Sequence, residues 1–185
     1  MKLSAIILAA GEGKRIGVPK AILRIKDEFL ADIQFELLSS LRIEDIKIVI
    51  GAKASEIKRL LKNRRAVVIN EKYSDGQFSS LVCGIKAIAD ADGLIILPVD
   101  TYPLEKDVVS WLISEFEREF DATIPVYMGR RGHPIILSNT FARGLLNYNI
   151  RESRLDYILR KSNTKLVEVN TPTILNNVNT TSDIR

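Results

Sequence analysis

Four short runs of consecutive apolar, largely β-branched residues recur along the chain: "SAIILAA" (Ser4 to Ala10), "DIKIVIGA" (Asp45 to Ala52), "AVVIN" (Ala66 to Asn70) and "LIILPV" (Leu94 to Val99). A strand with one solvated face alternates apolar and polar positions. A nearly continuous apolar run belongs to a strand covered on both faces, as in parallel sheets wrapped by helices. The segments between the runs have the matching helical spacing. Phe29 to Leu41 carries Leu30, Ile33, Leu37, Leu38 and Leu41 at helical intervals, and Ala54 to Leu61 and Ser80 to Ala89 read similarly. "EKDVVSWLISEFEREF" sets Val108, Val109, Leu112, Ile113, Phe116 and Phe120 along one helical face. This order predicts an α/β fold with a mostly parallel sheet. "DATIPVYMGRRGHPIILS" reads as two strands around a glycine-rich turn, a small antiparallel excursion. Ligands of such sheets bind beyond the carboxyl ends of the strands, so the loops after "AIIL", "VVIN" and "IILPV" are where a site is expected.

The chain has 185 residues, 46% of them apolar. That length suits one domain over residues 1–185, burying roughly 70% of its unfolded surface. The longest apolar runs are far shorter than the ~20 residues of a membrane span, and the first residues lack the long apolar segment of a secretory leader. A cytoplasmic protein with no membrane association is expected. The 27 basic and 23 acidic residues give a net charge of +4 and are scattered. The one basic block, "KNRR" (Lys62 to Arg65), reads as a solvated corner, so no nucleic-acid partner is expected. Mild basicity instead favours anionic small molecules. The single cysteine, Cys83 in "SSLVCGIKAI", excludes an internal disulfide and reads as buried packing.

The loop "LAAGEGKRIGVPKAIL" (Leu8 to Leu23) follows the first strand directly. Gly11, Gly13 and Gly17 sit where the chain must turn and where a ligand can approach the backbone. Arg15 offers a planar fork for phosphate and Lys20 a compact positive charge. The plainer alternative is a glycine turn with two solvated cations. Two familiar phosphate loops fail at named positions. A Walker A loop would need lysine where Val18 stands. The dinucleotide fingerprint would need glycine where Ile16 stands, and the second strand ends "IVIGAK" without the ribose-binding acid.

Asp100, in "ILPVDTYPL", follows a buried strand and faces that loop. It is either an oxygen ligand for Mg²⁺ beside nucleotide phosphates or the acid of an Asx-type turn. Asn179, in "NVNTTSDIR", is either a further metal ligand or part of a helix cap with Thr180 and Asp183. Ser79 and Ser80 open a helical stretch, where N-capping competes with a ligand role. His133, the one histidine, lies in "GHP" and reads as an acceptor contact, a turn residue or, least simply, a general base. Arg130, Arg131 and Arg151 are either anion contacts or solvated loop charges.

Taken together, these segments resemble the MobA-like nucleotidyltransferases. "LAAGEGKRIGVPKAIL" is similar to the family's L-A-[AG]-G-x-G-x-R-M-G-x-x-K signature, with Ile16 in place of methionine. "DGQFSSLVCGI", "RRGHPIIL" and "NVNTTSDI" resemble, in order, the segments of the molybdenum cofactor cytidylyltransferase branch. The resemblance implies a Rossmann-like nucleotide-diphospho-sugar transferase fold that joins CMP from CTP to molybdopterin with Mg²⁺, releasing pyrophosphate, with a molybdoenzyme as eventual partner. It implies that Ala9, Ala10, Gly11 and Ser80 border the base and ribose. Gly13, Arg15 and Lys20 would bind phosphates, and Asp100 and Asn179 would hold the metal. Arg15, Lys20 and Asp100 would be the catalytic set, and Gly132, His133 and Pro134 would shape the acceptor side. Three departures bear on the acceptor and the metal: an extra residue between Asp100 and Pro103, Glu71 where proline is frequent, and Asn179 where aspartate is common. The alternatives are a nucleotidyltransferase that uses GTP, UTP or another nucleotide on molybdopterin, a sugar phosphate or another phosphorylated metabolite, and a non-catalytic nucleotide- or cofactor-binding delivery protein.

Overall fold

Strand β1 (Leu3–Leu8) is buried at all six positions and lies at the centre of the sheet in the computed structural model, which describes residues 1–179. Around it the chain adds a two-stranded hairpin of β2 (Arg24–Ile25) and β3 (Glu28–Phe29), then α1 (Leu30–Ser40), β4 (Asp45–Ile50) and α2 (Ala54–Leu60). There follow β5 (Val67–Ile69), α3 (Gln77–Ala87), β6 (Gly93–Pro98) and α4 (Lys106–Ser114). The last part holds β7 (Ala122–Tyr127), β8 (Arg130–Arg131), β9 (Ile135–Ser138), α5 (Asn139–Gly144), α6 (Leu155–Leu159) and β10 (Thr164–Glu168). The main sheet runs β10-β7-β9-β6-β1-β4-β5, with β8 paired to β7.

β1 pairs in parallel with β4 on one edge and β6 on the other, Ile7 standing level with Ile48 and Leu97. Successive side chains of β1 therefore enter opposite cores. Ala5 and Ile7 join Leu30, Leu38, Ile57 and Leu112 on one face; Ile6 and Leu8 join Phe78, Leu81, Ile85 and Leu145 on the other. Helices cover both faces, which is why the strand sequences are apolar without alternation. The antiparallel excursion is β9, inserted between β6 and β7 and antiparallel to both. It reverses the chain so that the residues preceding β9 lie at the same end of the sheet as the residues following β1, β5 and β6. No described helix is long and apolar enough to cross a membrane.

Three local expectations change. The predicted Glu105–Phe120 helix ends at Ser114; Phe116 reaches the core from the following turn and Phe120 is only half-buried. Cys83 is half-buried rather than enclosed, because it lies at the margin of α3 where its Sγ faces the Ile69 carbonyl at 3.7 Å. The helix expected to start at Ser80 begins at Gln77, so Ser79 and Ser80 lie inside it and neither caps it. The Thr180–Asp183 cap lies outside the described residues.

Close packing of α3 on β1 depends on Gly84. A Cβ there would come within 2.6 Å of Ile6 Cγ2 and 3.1 Å of Val49 Cγ2, both in a fully buried layer. Gly84→Ala is expected to destabilise the fold by about 1–3 kcal/mol through overpacking, seen as a lower urea midpoint at unchanged slope.

Candidate active site

The carboxyl end of β1 continues into Ala9 and Ala10, both buried, and the chain then turns at Gly13. Gly13 adopts φ +67, and a Cβ there would lie 1.8 Å from the Val18 carbonyl oxygen. No side chain fits this turn. Its carbonyl accepts from Ile16 N–H at 3.0 Å and Gly17 N–H at 2.9 Å, so the tip folds back on itself. The return path carries Lys20 inward on a short 3-10 turn, Lys20–Ile22.

Lys20 is the hub. Its Nζ lies 2.6 Å from Asp100 Oδ2 and 3.1 Å from Asn179 Oδ1, joining the loop after β1, the loop after β6 and the C-terminal segment. Both charged side chains of the ion pair are about 23% exposed, enclosed enough to be ordered and open enough to meet a ligand. The backbone supports the cluster: Val178 N–H donates to the Asp100 carbonyl at 2.9 Å, which sets Asn179 beside Lys20. Beneath Asp100, the buried amide of Gln34 on α1 donates to the carbonyls of Thr101 at 2.6 Å and Val99 at 3.4 Å. These two carbonyls flank Asp100, so Gln34 fixes the turn that presents the carboxylate.

A cavity of about 280 Å³ opens in front of this cluster. Ala9, Ala10, Gly11, Gly13, Lys20, Ser80 and Asp100 line it together with Tyr73, Gly76 and Gln77. Arg15 does not line it and is exposed. Leu8, Gly76, Gln77 and Pro98 also border a second cavity of about 680 Å³ beside the first. Gly132 and His133 line the larger cavity, Pro134 is buried behind them, and Arg131, Arg151, Arg154 and Arg160 supply cations. Arg130 does not line it, while Arg151 Nε reaches Asp75 Oδ1 at 3.4 Å between two of its walls. Gly132 is required here because a Cβ would come within 2.5 Å of the Ile174 carbonyl oxygen, the same oxygen that accepts from His133 N–H at 2.9 Å.

Burial pushes the His133 imidazole below its ordinary value of 6.5, against the opposing attraction of the Asp100 carboxylate. Its Nδ1 is out of solvent and has no hydrogen-bond partner among the described residues. Burial without a partner for Nδ1 disfavours the charged imidazolium, so the neutral form is favoured further than in a free histidine.

Asp100 and Asn179 offer two hard oxygens that already converge on one ammonium group, so the donor set fits a small divalent cation. Among the described residues no cluster of three His, Cys, Asp or Glu side chains forms a metal cage. The remaining ligands of such an ion would be phosphate oxygens and water.

Sequence reasoning missed Gln34, Tyr73, Gln77, Arg154 and Arg160. Gln34 had a signal: it lies at helical spacing between Leu30 and Leu38, a polar residue within a buried stripe. Gln77 had one as well, its place in the quoted segment "DGQFSSLVCGI", whereas Tyr73, Arg154 and Arg160 had none, since each sits in a loop or helix whose placement depends on the whole fold.

Residues 5–166 match the MobA-like NTP transferase domain. The chain belongs to that family. Within it, a protein of Bacillus mycoides (strain KBAB4) named a probable molybdenum cofactor guanylyltransferase is 26% identical over 134 residues. That alignment covers 70% of this chain and 64% of the relative, so the chain spans somewhat less than two thirds of the relative's length. Among solved structures, Rv0371c from Mycobacterium tuberculosis H37Rv superposes with a TM-score of 0.83 at 18% identity, covering 99% of this chain and 95% of that one. A manganese complex of Rv0371c superposes with a TM-score of 0.76 at 16% identity, over 91% and 89% of the two chains. At these identities the likeness establishes the fold, a MobA-like α/β sheet with its antiparallel insertion.

Two measurements check the site's construction. Gln34→Leu leaves the Val99 and Thr101 carbonyls without their buried donor and is expected to lower stability by about 1–3 kcal/mol, read by urea denaturation. For His133, the lowered folded pKa means that stability is fully present above the ordinary histidine value and is lost as pH falls from about 6.5 toward the lower folded value. A Tm-against-pH series should therefore show an acid decline that flattens in His133→Asn.

Proposed function

We propose that this chain transfers a nucleoside monophosphate from a nucleoside triphosphate to a phosphorylated acceptor, molybdopterin, releasing pyrophosphate. One observation carries the reading: the Lys20–Asp100–Asn179 cluster stands on a glycine-lined cavity that adjoins a larger, arginine-bearing one. That arrangement suits two anionic ligands meeting at one cationic centre. Ala9, Ala10, Gly11 and Ser80 are assigned to the base and ribose. Gly13 and Lys20 are assigned to the phosphates, with Lys20 exchanging its two oxygen partners for phosphate oxygens. Arg15, exposed in the same turn, is assigned to the departing pyrophosphate. Gly132, His133 and Pro134 shape the acceptor wall, and the neutral imidazole contributes a hydrogen bond rather than a charge.

Asp100 and Asn179 are the proposed metal ligands, with Mg²⁺ as the ion; the manganese complex of Rv0371c supports a divalent cation at such a fold. When bound, the ion supplies neutralisation of charge on the phosphates. The chain's own residues do the rest by positioning. An acceptor phosphate oxygen, already anionic, forms a bond to the α-phosphorus as the bond from that phosphorus to the β-phosphate bridge breaks. No protein nucleophile is needed. For the donor base, the name of the Bacillus relative supports guanine, whereas the "LAAG" and "GHP" segments support cytosine.

The test is pyrophosphate release with Mg²⁺ or Mn²⁺, using CTP, GTP, UTP and ATP separately against molybdopterin and a panel of sugar phosphates. Release with molybdopterin and either CTP or GTP is expected. Asp100→Ala should reduce it by about 10²-fold or more, and full activity in that variant would sink the assignment. Release with a sugar phosphate alone would replace the acceptor. Nucleotide binding without any release would favour a delivery protein.

A further inference from the structure

β10 ends the sheet: it pairs in parallel with β7, and among the described residues no strand lies on its other side. The hydrogen bonds at its two ends fix which backbone groups that leaves open. The Asn163 carbonyl accepts from Asp121 N–H at 2.8 Å, Asn163 N–H donates to Asp121 Oδ2 at 2.9 Å, and Val169 N–H donates to the Val126 carbonyl at 2.9 Å. Backbone groups of successive strand residues point to alternate sides. Lys165 and Val167 therefore also face β7, and Thr164, Leu166 and Glu168 turn their N–H and C=O groups outward.

Edge strands are commonly guarded by a proline, a bulge or an outstretched lysine. β10 has none of these. It contains no proline, its register with β7 is unbroken, and Lys165 is tied to Glu115 Oε2 at 3.1 Å and Glu117 Oε1 at 2.5 Å. Leu166, at the middle of the strand, is 50% exposed. The two ends of the edge differ in charge. Beside the carboxyl end, Glu105, Asp107 and Glu168 line a groove of about 340 Å³ with the half-exposed Trp111, and among the described residues no cation lines it. Arg160 and Lys161, both exposed, precede the amino end. Asp121, Glu115 and Glu117, which lie nearby, are already held by Asn163 N–H and by Lys165.

We propose that the open edge of β10 is an interface for a second copy of this chain, the two β10 strands pairing antiparallel about a two-fold axis at Leu166. A two-fold axis makes the same patch serve both copies and requires the antiparallel direction. In this register Leu166 faces Leu166 of the second copy and Thr164 faces its Glu168, so each outward backbone group meets an outward partner. Lys161 comes level with Thr171 of the second copy, whose hydroxyl donates to Glu105 Oε1 at 2.9 Å at the margin of the acidic groove. The symmetry brings basic end to acidic end twice. β10 runs with β7, and β9 is antiparallel to both β7 and β6, so the carboxyl end of β10 lies at the same rim as those of β1 and β6. The two rims therefore open at opposite ends of the joined sheet and neither obstructs the other. So short an edge predicts a dimer that dissociates on dilution. The interface does not depend on the transfer chemistry.

Sedimentation velocity of the full chain across a dilution series tests it. The wild-type chain should pass from dimer to monomer on dilution, and added salt should favour the monomer. Leu166→Lys sets like charges opposite each other at the axis and should raise the dimer dissociation constant by about tenfold or more. Leu166→Pro removes an outward N–H, which an edge strand tolerates, and should act in the same direction. Lys161→Glu should weaken the dimer, and combining it with Glu105→Lys should restore it, which a change in packing alone would not do. A wild-type chain that is monomeric at every concentration would overturn the proposal, as would a dimer that survives both Leu166 variants or a charge exchange that restores nothing. Should Leu166→Pro fail to fold by circular dichroism, Leu166→Lys decides in its place, since it changes an exposed side chain and keeps every backbone group.

Discussion

Parallel pairing on both edges of β1 is the constraint on which the rest of the molecule hangs. Because β4 and β6 run in the same direction as β1, their carboxyl ends emerge side by side, and the chain segments that follow are forced into one rim. Ala9 N–H bonds to the Val49 carbonyl at 2.8 Å and Val99 N–H to the Leu8 carbonyl at 3.0 Å, so the ladder continues one residue past the strands on both sides. The glycine turn and Asp100 are thus held by main-chain hydrogen bonds before any side chain meets. Lys20 then ties the two loops with one short ion pair, a contact between residues eighty positions apart.

The sheet was legible because burial on both faces leaves a mark that survives in sequence. Ile6 and Ile7 point into different cores and are both apolar for that reason. The antiparallel return was legible from the glycines of "YMGRRGHP", where Met128 and Gly129 take positive φ. Helix ends were less so. The apolar spacing of Phe116 and Phe120 continues the pattern of α4, but the chain leaves the helix at Ser114 and uses Phe116 in the core from a turn, which no periodicity distinguishes.

Within the site, residue identity was readable where backbone geometry demanded it and unreadable where partnership did. Gly13 announces itself, since only glycine fits so close to Val18. Arg15 and Lys20 have equal credentials as cations in one loop, yet the fold leaves the first exposed and brings the second to Asp100. The role of Gln34 could not be read at all from local sequence. It is a buried amide whose function is to hold a backbone turn, and that partner is brought near by the fold alone.

The two cavities share the wall formed by Leu8, Gly76, Gln77 and Pro98. Under the proposed transfer, the ligands enter as two molecules and their larger parts leave as one. A joined product touches both compartments through a single covalent link, so once one half is seated the other rebinds at high effective concentration. Such a molecule escapes more slowly than either of the pieces it was made from. The shared wall would thus turn the chain, after each round of chemistry, into a holder of its own product until something takes it away.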